Sequence, residues 1–318
     1  MNYRDFGKTG LKISDVGFGA WAIGGAYGAV DRQESLRALA RAEELGCNFV
    51  DTAAVYGDSE IVLGEFLQGR RDKWLVATKY SGQSDGMEKT LENQLRALGT
   101  DYVDLYQIHW APHTAEPYQQ LEQLRQSGKV RFIGVSLYNK NDIDYVLTQT
   151  HIDSIQLPFS LLDPNPYLER LQRIRESGIA VIIRSCLKEG FLTGKFNRDT
   201  KFDDPLDQRH TWSREKINQL LELTEQFRFL EAGAGSLLLG AARYPLAFSE
   251  TSTLILGTKN VAQADLNFGQ VPNAQLTAQQ LQAIEEIQRR LKLGQEPGAL
   301  QRLLGKLRSA VKSIVRMH

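Results

Sequence analysis

Four polar side chains stand at or just beyond the ends of short apolar runs, where a reaction centre could form. Asp51 ends the run CNFVD, Lys79 ends WLVATK and His109 ends YVDLYQIH, while Tyr56 follows Asp51 by five residues. Each residue alone has an ordinary structural explanation, since a strand-end aspartate often caps a helix and a buried histidine is usually satisfied within the core. Together, the four residue types suit the reduction of a carbonyl group.

Carbonyl reduction needs a proton donor in a positive environment, because hydride transfer leaves negative charge on the oxygen. Tyr56 is the predicted proton donor. Its unperturbed pKa of about 10 is high for this role, and we expect the Lys79 ammonium to lower that pKa by favouring the phenolate. Asp51 would keep Lys79 charged, and His109 would orient the carbonyl or share the proton.

Eight short apolar runs alternate with amphipathic helical segments along most of the chain. The runs lie at 15–19, 47–51, 74–79, 102–109, 130–136, 154–157, 179–185 and 252–257. Eight strand-helix units predict an α/β fold, a (β/α)8 TIM barrel, in which the loops after the strands build the active site. A doubly wound open sheet is the alternative, but the G-x-G-x-x-G spacing of its dinucleotide-binding form is absent.

Three segments fall outside this repeat. YRDF-GKTG-LKIS predicts an N-terminal β-hairpin that could close the bottom of the barrel, and the long polar loop after the seventh run could fold over the pocket as a lid. Two extra C-terminal helices follow residue 276. The last, at 298–318, has an apolar stripe and a basic face, so we expect it to pack on the barrel or a subunit, with weak binding to anionic membrane as the alternative.

The composition is that of an ordinary globular protein, with 42% hydrophobic and 24% charged residues. Lys and Arg total 38, as do Asp and Glu, so no overall field attracts nucleic acid. Cys47 and Cys186 are far apart in sequence, which disfavours a disulfide framework or a metal site. The polar N-terminus lacks a secretion signal and no apolar window is long enough to span a membrane, so we expect a cytoplasmic protein.

The segments DTAAVYGDSEIVLGEFL, WLVATKY and VDLYQIHW resemble the signature segments of the aldo-keto reductase superfamily. The resemblance extends from about Tyr3 to Phe268 and suggests a bacterial member similar to the potassium-channel β-subunit branch. It implies a (β/α)8 barrel that binds nicotinamide without a Rossmann motif and transfers the 4-pro-R hydride to an aldehyde or ketone. The catalytic tetrad of the family maps onto Asp51, Tyr56, Lys79 and His109. The expected organisation is one domain, 1–318, with the barrel at about 15–268 and a helical extension at about 276–318.

The resemblance also implies a cofactor site along the strand ends. Ser136 and Gln156 match carboxamide contacts, and Arg184 stands where the family often has an aromatic residue stacked on nicotinamide. The segment 257–267 matches the region that holds the adenosine 2′-phosphate and adenine, and Lys259 favours NADP(H) over NAD(H). The full predicted set is Gly19, Ala20, Trp21, Asp51, Ser136, Gln156, Arg184, Ser185, Leu187, Gly190, Lys195, Gly257, Thr258, Lys259, Gln263 and Asn267.

Substrate contacts are expected from loop residues near the tetrad. The predicted contacts are Trp21, Tyr56, His109 and Trp110, with Tyr27 or Asp31 as further candidates. The long loop that could fold over the cofactor as a lid carries Arg209, His210 and Trp212. Three functions stay open. The leading hypothesis is an NADP-dependent oxidoreductase that acts on an aldehyde, ketone or sugar-like carbonyl in either direction. The alternatives are an NADPH-binding sensor with little turnover and a lyase in which Lys79 forms a Schiff base.

Overall fold

Ten strands form a hairpin and a closed barrel in the computed structural model, which describes residues 1–149, 151–165 and 167–294. The hairpin strands are β1 (Tyr3–Asp5) and β2 (Lys12–Ser14). The barrel strands are β3 (Val16–Gly19), β4 (Phe49–Asp51), β5 (Leu75–Tyr80), β6 (Val103–Ile108), β7 (Val130–Ser136), β8 (Ser154–Pro158), β9 (Ala180–Arg184) and β10 (Thr253–Gly257). All barrel neighbours are parallel and β10 closes the circle on β3. The predicted TIM barrel and hairpin are confirmed.

The described helices cover the outside of the barrel. They are α1 (Arg32–Glu44), α2 (Ser59–Leu67), α3 (Met87–Leu98), α4 (Glu116–Gln126), α5 (Lys140–Val146), α6 (Tyr167–Ser177), α7 (Arg214–Glu225), α8 (Leu230–Ala234), α9 (Leu237–Leu246), α10 (Val261–Ala264) and α11 (Ala278–Arg290). Helices α7 to α9 lie between β9 and β10. The first of the two predicted C-terminal helices is α11.

Capping residues at several helix ends explain where the helices begin and end. Gly99 ends α3 in the left-handed region at φ 62°, a conformation that glycine adopts without strain. Asn139 starts α5 by accepting the backbone N–H groups of Asn141 and Asp142. Asp31 caps α1 by accepting the N–H of Glu34 at 2.7 Å. Asp31 is therefore a helix cap, and it does not line the cleft described below.

Strand alternation divides the barrel interior into an apolar and a polar layer. The apolar layer joins the hairpin to the lower strand residues in one cluster, which includes Phe6, Ile13, Phe49, Ala77, Leu105 and Ile182. Two residues further along β4, β5 and β6 come Asp51, Lys79 and Gln107. Because residues i and i+2 of a strand share a face, these polar side chains also point into the barrel. The hairpin thus closes one mouth, and the polar layer lies towards the other.

None of the helices in the described ranges is long and apolar enough to cross a lipid bilayer. The predicted terminal helix at 298–318 lies outside the described residues. Its packing and its possible contact with a membrane stay predictions, as does the organisation of the whole chain as one domain.

We expect Gly64→Ala to lower the free energy of unfolding by about 1–3 kcal/mol, the usual cost of overpacking. Gly64 lies on α2 against the backbone of α3, and an added Cβ would meet the Ala97 carbonyl oxygen at 2.2 Å and the Leu98 carbonyl carbon at 3.1 Å. Backbone atoms within a helix cannot move aside cheaply. Urea unfolding of the variant and the wild type measures the loss.

Gly269→Ala is the matched control, because its nearest neighbours are Leu45 side-chain atoms at 3.7 and 3.8 Å, an ordinary contact distance. We expect this change to stay within about 0.5 kcal/mol of wild type. Equal losses for the two alanine variants would contradict the close approach of α2 to α3.

Candidate active site

Lys79 is fully buried in the barrel and is paired with Asp51, whose side chain is 1% exposed. The Lys79 Nζ donates to Asp51 Oδ1, to the Thr52 carbonyl oxygen at 2.8 Å and to the Tyr56 phenol oxygen at 3.4 Å. Burial opposes the ammonium charge, but the carboxylate more than offsets this effect, so the pKa of Lys79 is raised. The lysine is charged at neutral pH, as predicted.

The second carboxylate oxygen of Asp51 is held by two glutamines inside the barrel. Its Oδ2 accepts from Gln107 Nε2 at 2.9 Å and from Gln156 Nε2 at 2.8 Å. The sequence predicted Gln156 as a cofactor contact, whereas its amide nitrogen is used to orient Asp51. Gln107 was missed, although a glutamine within the apolar run YVDLYQIH is the signal that could have found it.

Tyr56 lies between the lysine and the histidine. Its phenol oxygen is 3.4 Å from Lys79 Nζ and 3.5 Å from His109 Nε2, and the Trp21 ring meets the tyrosine ring edge-on at 4.6 Å. Burial raises the pKa of Tyr56, and the nearby ammonium only partly offsets the rise. The predicted lowering of this pKa is therefore wrong. The phenol keeps its proton at neutral pH, which suits a proton donor.

His109 follows β6 directly and is neutral. Its Nδ1 lies 2.8 Å from the Ser81 hydroxyl oxygen, and its ring stacks on Trp110 with centroids 4.3 Å apart. Burial, followed by the charges of Lys79 and Arg184, lowers the pKa of His109 to about 3. An imidazole that accepts the Ser81 proton at Nδ1 carries its own N–H at Nε2, the atom nearest the Tyr56 phenol.

A second buried network supports the lysine-bearing strand from its outer face. Glu60 Oε1 accepts from Thr78 Oγ1 at 2.5 Å and from Gln94 Nε2 at 2.8 Å. The same Gln94 nitrogen lies 3.1 Å from the Lys79 carbonyl oxygen. Because α2 carries Glu60 and begins three residues after Tyr56, the network ties the tyrosine loop to the lysine strand. None of these three residues, Glu60, Thr78 and Gln94, was predicted from the sequence.

A cleft of about 590 Å³ opens above this group, a size that suits small ligands and cofactors. Sixteen predicted site residues line it: Gly19, Trp21, Asp51, Tyr56, His109, Trp110, Gln156, Arg184, Ser185, Leu187, Gly190, Lys195, Gly257, Lys259, Gln263 and Asn267. Lys79, Ala20, Ser136 and Thr258 are fully buried and do not line the cleft. Val55, Tyr138, Glu189 and Leu238 line it but were not predicted. Tyr138 could have been found, since it closely follows the end of β7.

Among the eight buried side-chain atoms that have no hydrogen-bond partner in the described part of the chain are Ser136 Oγ, Gln156 Oε1 and Arg184 Nε. They belong to neighbouring strands, since Ser136 pairs with Gln156 and Pro158 pairs with Arg184. Buried polar groups almost always have partners, so such a cluster indicates a ligand. Two acceptors and one donor would match a primary carboxamide, such as that of nicotinamide.

The chain turns after β9 through an unusual run of left-handed backbone. Ser185, Lys188 and Glu189 have φ values of 56°, 46° and 51°, and Gly190 has a φ of 92°. Non-glycine residues rarely adopt this conformation, and it is concentrated at functional sites. Turns of this kind can direct successive backbone N–H groups at an anion. The turn lines the cleft and directly follows Arg184, which carries one of the unpartnered atoms.

Three cations line the part of the cleft next to the segment after β10, namely Lys195, Arg209 and Lys259. Arg209 pairs with Asp207 at 2.5 Å. Burial, followed by the charges of Arg209 and Lys259, lowers the pKa of Lys195. Cations that lie close enough to repel one another indicate an anionic ligand, such as a phosphate group.

Two loops meet at this cleft. The Gln208 N–H donates to the Ala26 carbonyl oxygen at 3.1 Å, and Tyr27 forms an antiparallel bridge with Asp207. The Arg209 guanidinium stacks over the Tyr27 ring at 4.9 Å. The long loop after β9 therefore contacts the loop after β3, and Tyr27 and Arg209 do line the cleft. The role of the loop after β9 as a lid stays a prediction.

Comparison with known proteins shows which family this chain belongs to. Residues 15–289 match the family model described as the Aldo/keto reductase family. The chain belongs to this family. It is 30% identical over 308 residues to the uncharacterized oxidoreductase YqkF of Bacillus subtilis, which covers 90% of this chain and 96% of the relative. It is also 30% identical over 261 residues to the NADH-specific methylglyoxal reductase of Escherichia coli, covering 72% of this chain and 80% of that protein.

Solved structures of aldo-keto reductases have the same fold. The glycerol dehydrogenase of Gluconobacter oxydans superposes with a TM-score of 0.78 and 27% identity, covering 93% of this chain and 98% of that chain. The holo form of an aldo-keto reductase from Bacillus halodurans gives a TM-score of 0.75 at 27% identity, covering 90% and 96%. These relatives do not place this aldo/keto reductase in the potassium-channel β-subunit branch, which stays a prediction.

Several predicted contacts of this aldo/keto reductase are engaged by the protein itself. Gln263 Oε1 accepts the Lys259 N–H at 3.0 Å, and Asn267 Nδ2 donates to the Thr258 hydroxyl at 2.9 Å. These bonds shape the segment after β10 and leave the Lys259 side chain along the cleft. His210 and Trp212 do not line the cleft. His210 Nδ1 lies 3.0 Å from the Phe202 carbonyl oxygen, and Trp212 stacks on Phe191 with centroids 6.0 Å apart.

We expect His109 to make the folded state less stable in acid. An unfolded imidazole binds a proton near pH 6.5, whereas the folded one has a pKa of about 3. The unfolded state therefore takes up the proton first, and the stability present above about pH 6.5 is lost progressively as the pH falls towards about 3. His109→Gln should reduce this acid dependence in urea unfolding curves between about pH 4 and 8. Identical dependence in both proteins would show that the imidazole titrates normally.

Proposed function

We propose that this aldo/keto reductase is an NADP(H)-dependent oxidoreductase that interconverts a small aldehyde, ketone or sugar-like carbonyl and its alcohol. The observation that supports this most directly is the position of Tyr56, whose protonated phenol lies 3.4 Å from a buried ammonium and 3.5 Å from a neutral imidazole. Two relatives are named for reactions of small oxygenated compounds, one a methylglyoxal reductase and the other a glycerol dehydrogenase.

In the reductive direction, a bound reduced nicotinamide supplies the hydride to the carbonyl carbon. The carbonyl oxygen accepts hydrogen bonds from the Tyr56 phenol and from the His109 Nε2–H, whose heavy atoms lie 3.5 Å apart. As negative charge develops on the oxygen, Tyr56 transfers its proton to it. The alcohol leaves, and the phenolate regains a proton from solvent. The reverse sequence oxidises an alcohol.

The buried ion pair stabilises the phenolate formed in this step. Lys79 lies beside the Tyr56 oxygen and stays charged because Asp51 compensates its burial. A positive charge next to the oxygen favours the phenolate over the phenol, so the lysine lowers the cost of giving up the proton. Gln107 and Gln156 hold Asp51 in the orientation that this requires.

The cleft fits a nicotinamide dinucleotide by the chemistry of its residues. Gln156 and Arg184 line the cleft and would bind the carboxamide through their unpartnered Oε1 and Nε atoms, with the buried Ser136 hydroxyl next to them on β7. The left-handed turn at 185–190 would bind the pyrophosphate through backbone N–H groups. Lys195 and Lys259 would neutralise phosphate charge, and the Lys259 ammonium is the group that would select a 2′-phosphate.

A Schiff-base lyase is disfavoured by the position of Lys79. Its Nζ has three hydrogen-bond contacts, carries a raised pKa and does not line the cleft, so no neutral amine is presented to a substrate. The sensor alternative differs from the leading proposal in turnover and not in cofactor binding.

We place the protein in a reducing compartment such as the cytoplasm, since Cys47 and Cys186 are both free and buried.

We expect Tyr56→Phe to reduce carbonyl reduction by at least about 100-fold, the usual effect of losing a general acid. Phenylalanine keeps the ring contact with Trp21 and removes only the hydroxyl, so NADPH binding should persist. NADPH absorbance with a panel of small aldehydes and ketones measures turnover, and NADPH fluorescence measures binding.

Tyr80→Phe is the matched control. Its hydroxyl donates to the Gln83 carbonyl oxygen at 3.1 Å and does not line the cleft, so we expect near-normal turnover. A wild-type protein that binds NADPH tightly but reduces nothing on the panel would favour the sensor. A wild-type protein that binds no nicotinamide cofactor would contradict the proposal.

We expect Lys259→Gln to raise the KM for NADPH by about tenfold through the loss of a charge-assisted contact to the 2′-phosphate, with little change in the KM for NADH. Steady-state kinetics with each cofactor tests this. Lys73→Gln, which removes a surface cation paired with Glu43, is the control. Equal increases for NADPH and NADH would show that Lys259 contacts a group that both cofactors share.

A further inference from the structure

The side chains that surround the Tyr56 phenol contribute no net charge. Lys79 and Asp51 form a pair of opposite charges. The imidazole of His109, with a pKa of about 3, is neutral at physiological pH. The phenol of Tyr56 is neutral as well, because its pKa is raised. Any net charge at this end of the cleft must come from a neighbouring residue.

Arg184 supplies that charge. Its Nη2 donates to the Leu137 carbonyl oxygen at 3.1 Å, and its guanidinium stacks over the Tyr138 ring at 4.3 Å. Within the described ranges it forms no ion pair with a carboxylate. Its charge acts on the reaction centre, since it contributes to the lowered pKa of His109 and offsets a small part of the rise that burial causes in the pKa of Tyr56. A guanidinium is always protonated in proteins, so this positive charge is permanent.

The carboxylate on the adjoining turn is not paired directly with Arg184. Glu189 lines the same cleft, but within the described ranges the two side chains form no ion pair. Its neighbour Lys188 is paired with Asp163 at 2.5 Å. The positive charge of Arg184 is therefore only partly balanced by the residues packed around it.

The unpartnered atoms place a nicotinamide beside this cation. Arg184 Nε is one of the three, together with Ser136 Oγ and Gln156 Oε1 on the two preceding strands. A carboxamide bound there puts its attached ring next to the guanidinium. That ring carries a positive charge when oxidised and none when reduced. A fixed cation beside it repels only the oxidised form.

We propose that Arg184 makes this site discriminate between the redox states of the cofactor, binding NADPH more tightly than NADP+. The inference rests on the proposed function, because it requires nicotinamide in the cleft. Hydride transfer to a carbonyl creates a ring cation beside Arg184, so the residue promotes release of the oxidised cofactor. The same repulsion reduces the driving force of the hydride step, since it destabilises the product form of the bound cofactor.

Equilibrium binding to the full-length protein without a carbonyl substrate tests the inference. NADPH fluorescence gives one Kd, and competition by NADP+ gives the other. We expect the ratio of the NADP+ Kd to the NADPH Kd to be well above one in wild type. In Arg184→Gln this ratio should fall by about tenfold, the order expected for one partly screened charge a few ångströms away. Arg184→Lys, which retains the charge, should keep most of the ratio.

Two further variants separate the effect of the Arg184 charge on this ratio from the effect of its packing. Arg184→Met retains an apolar stem against the Tyr138 ring and should lower the ratio as Arg184→Gln does. Lys259→Gln removes a cation from the phosphate end of the cleft, so it should weaken both redox forms by the same factor and leave the ratio unchanged. Thermal unfolding of each variant confirms that it is folded.

The outcomes distinguish this inference from the proposed function. A wild-type ratio at or below one would overturn the inference, even if a variant failed to fold. A ratio that Arg184→Gln and Arg184→Met leave unchanged, in a protein whose wild type reduces carbonyls with NADPH, would overturn the inference alone. Failure of the wild type to bind either redox form would overturn the proposed function and this inference together.

Discussion

The burial of the Lys79 ammonium in the barrel interior is the constraint on which the rest of the site depends. A buried charge costs several kcal/mol unless it is paired and hydrogen-bonded. Asp51 provides the opposite charge, and the Tyr56 phenol oxygen accepts a hydrogen bond from the ammonium. Gln107 and Gln156 then satisfy the second carboxylate oxygen. Much of the polar upper layer of the barrel thus serves to compensate one cation.

That compensation decides how the neighbouring groups ionise. Because the lysine charge is already balanced, burial dominates the titration of Tyr56 and raises its pKa. Burial also lowers the pKa of His109, in the same direction as the nearby cations. The result is a neutral phenol and a neutral imidazole beside a buried positive charge. This arrangement suits an oxygen atom that gains negative charge during a reaction.

The barrel confines this chemistry to one end. The hairpin packs Phe6 and Ile13 against the apolar lower layer, so one mouth is closed. The other mouth is lined by loops, and the loop after β9 contacts the loop after β3 through Gln208 and Ala26. Catalytic side chains at strand ends are held rigidly, while the loops around them are free to differ between relatives. The reaction class is therefore easier to infer than the substrate.

The sequence by itself determined the eight strands, the barrel, the hairpin and the four residues Asp51, Tyr56, Lys79 and His109. These features depend on local patterns, namely alternating apolar runs, glycine-terminated helices and polar residues at strand ends. Their strand-end positions were enough to bring the four together, because parallel strands in a barrel end at the same mouth.

Only the tertiary structure decided what surrounds them. Gln107 as a partner of Asp51, and Glu60 as a link between two elements, depend on contacts between residues far apart in the sequence. The direction of the Tyr56 pKa shift also required the structure, because it is the difference between burial and the attraction of an already paired lysine. A sequence shows which groups are present, but desolvation and the distances between charges exist only once the chain has folded.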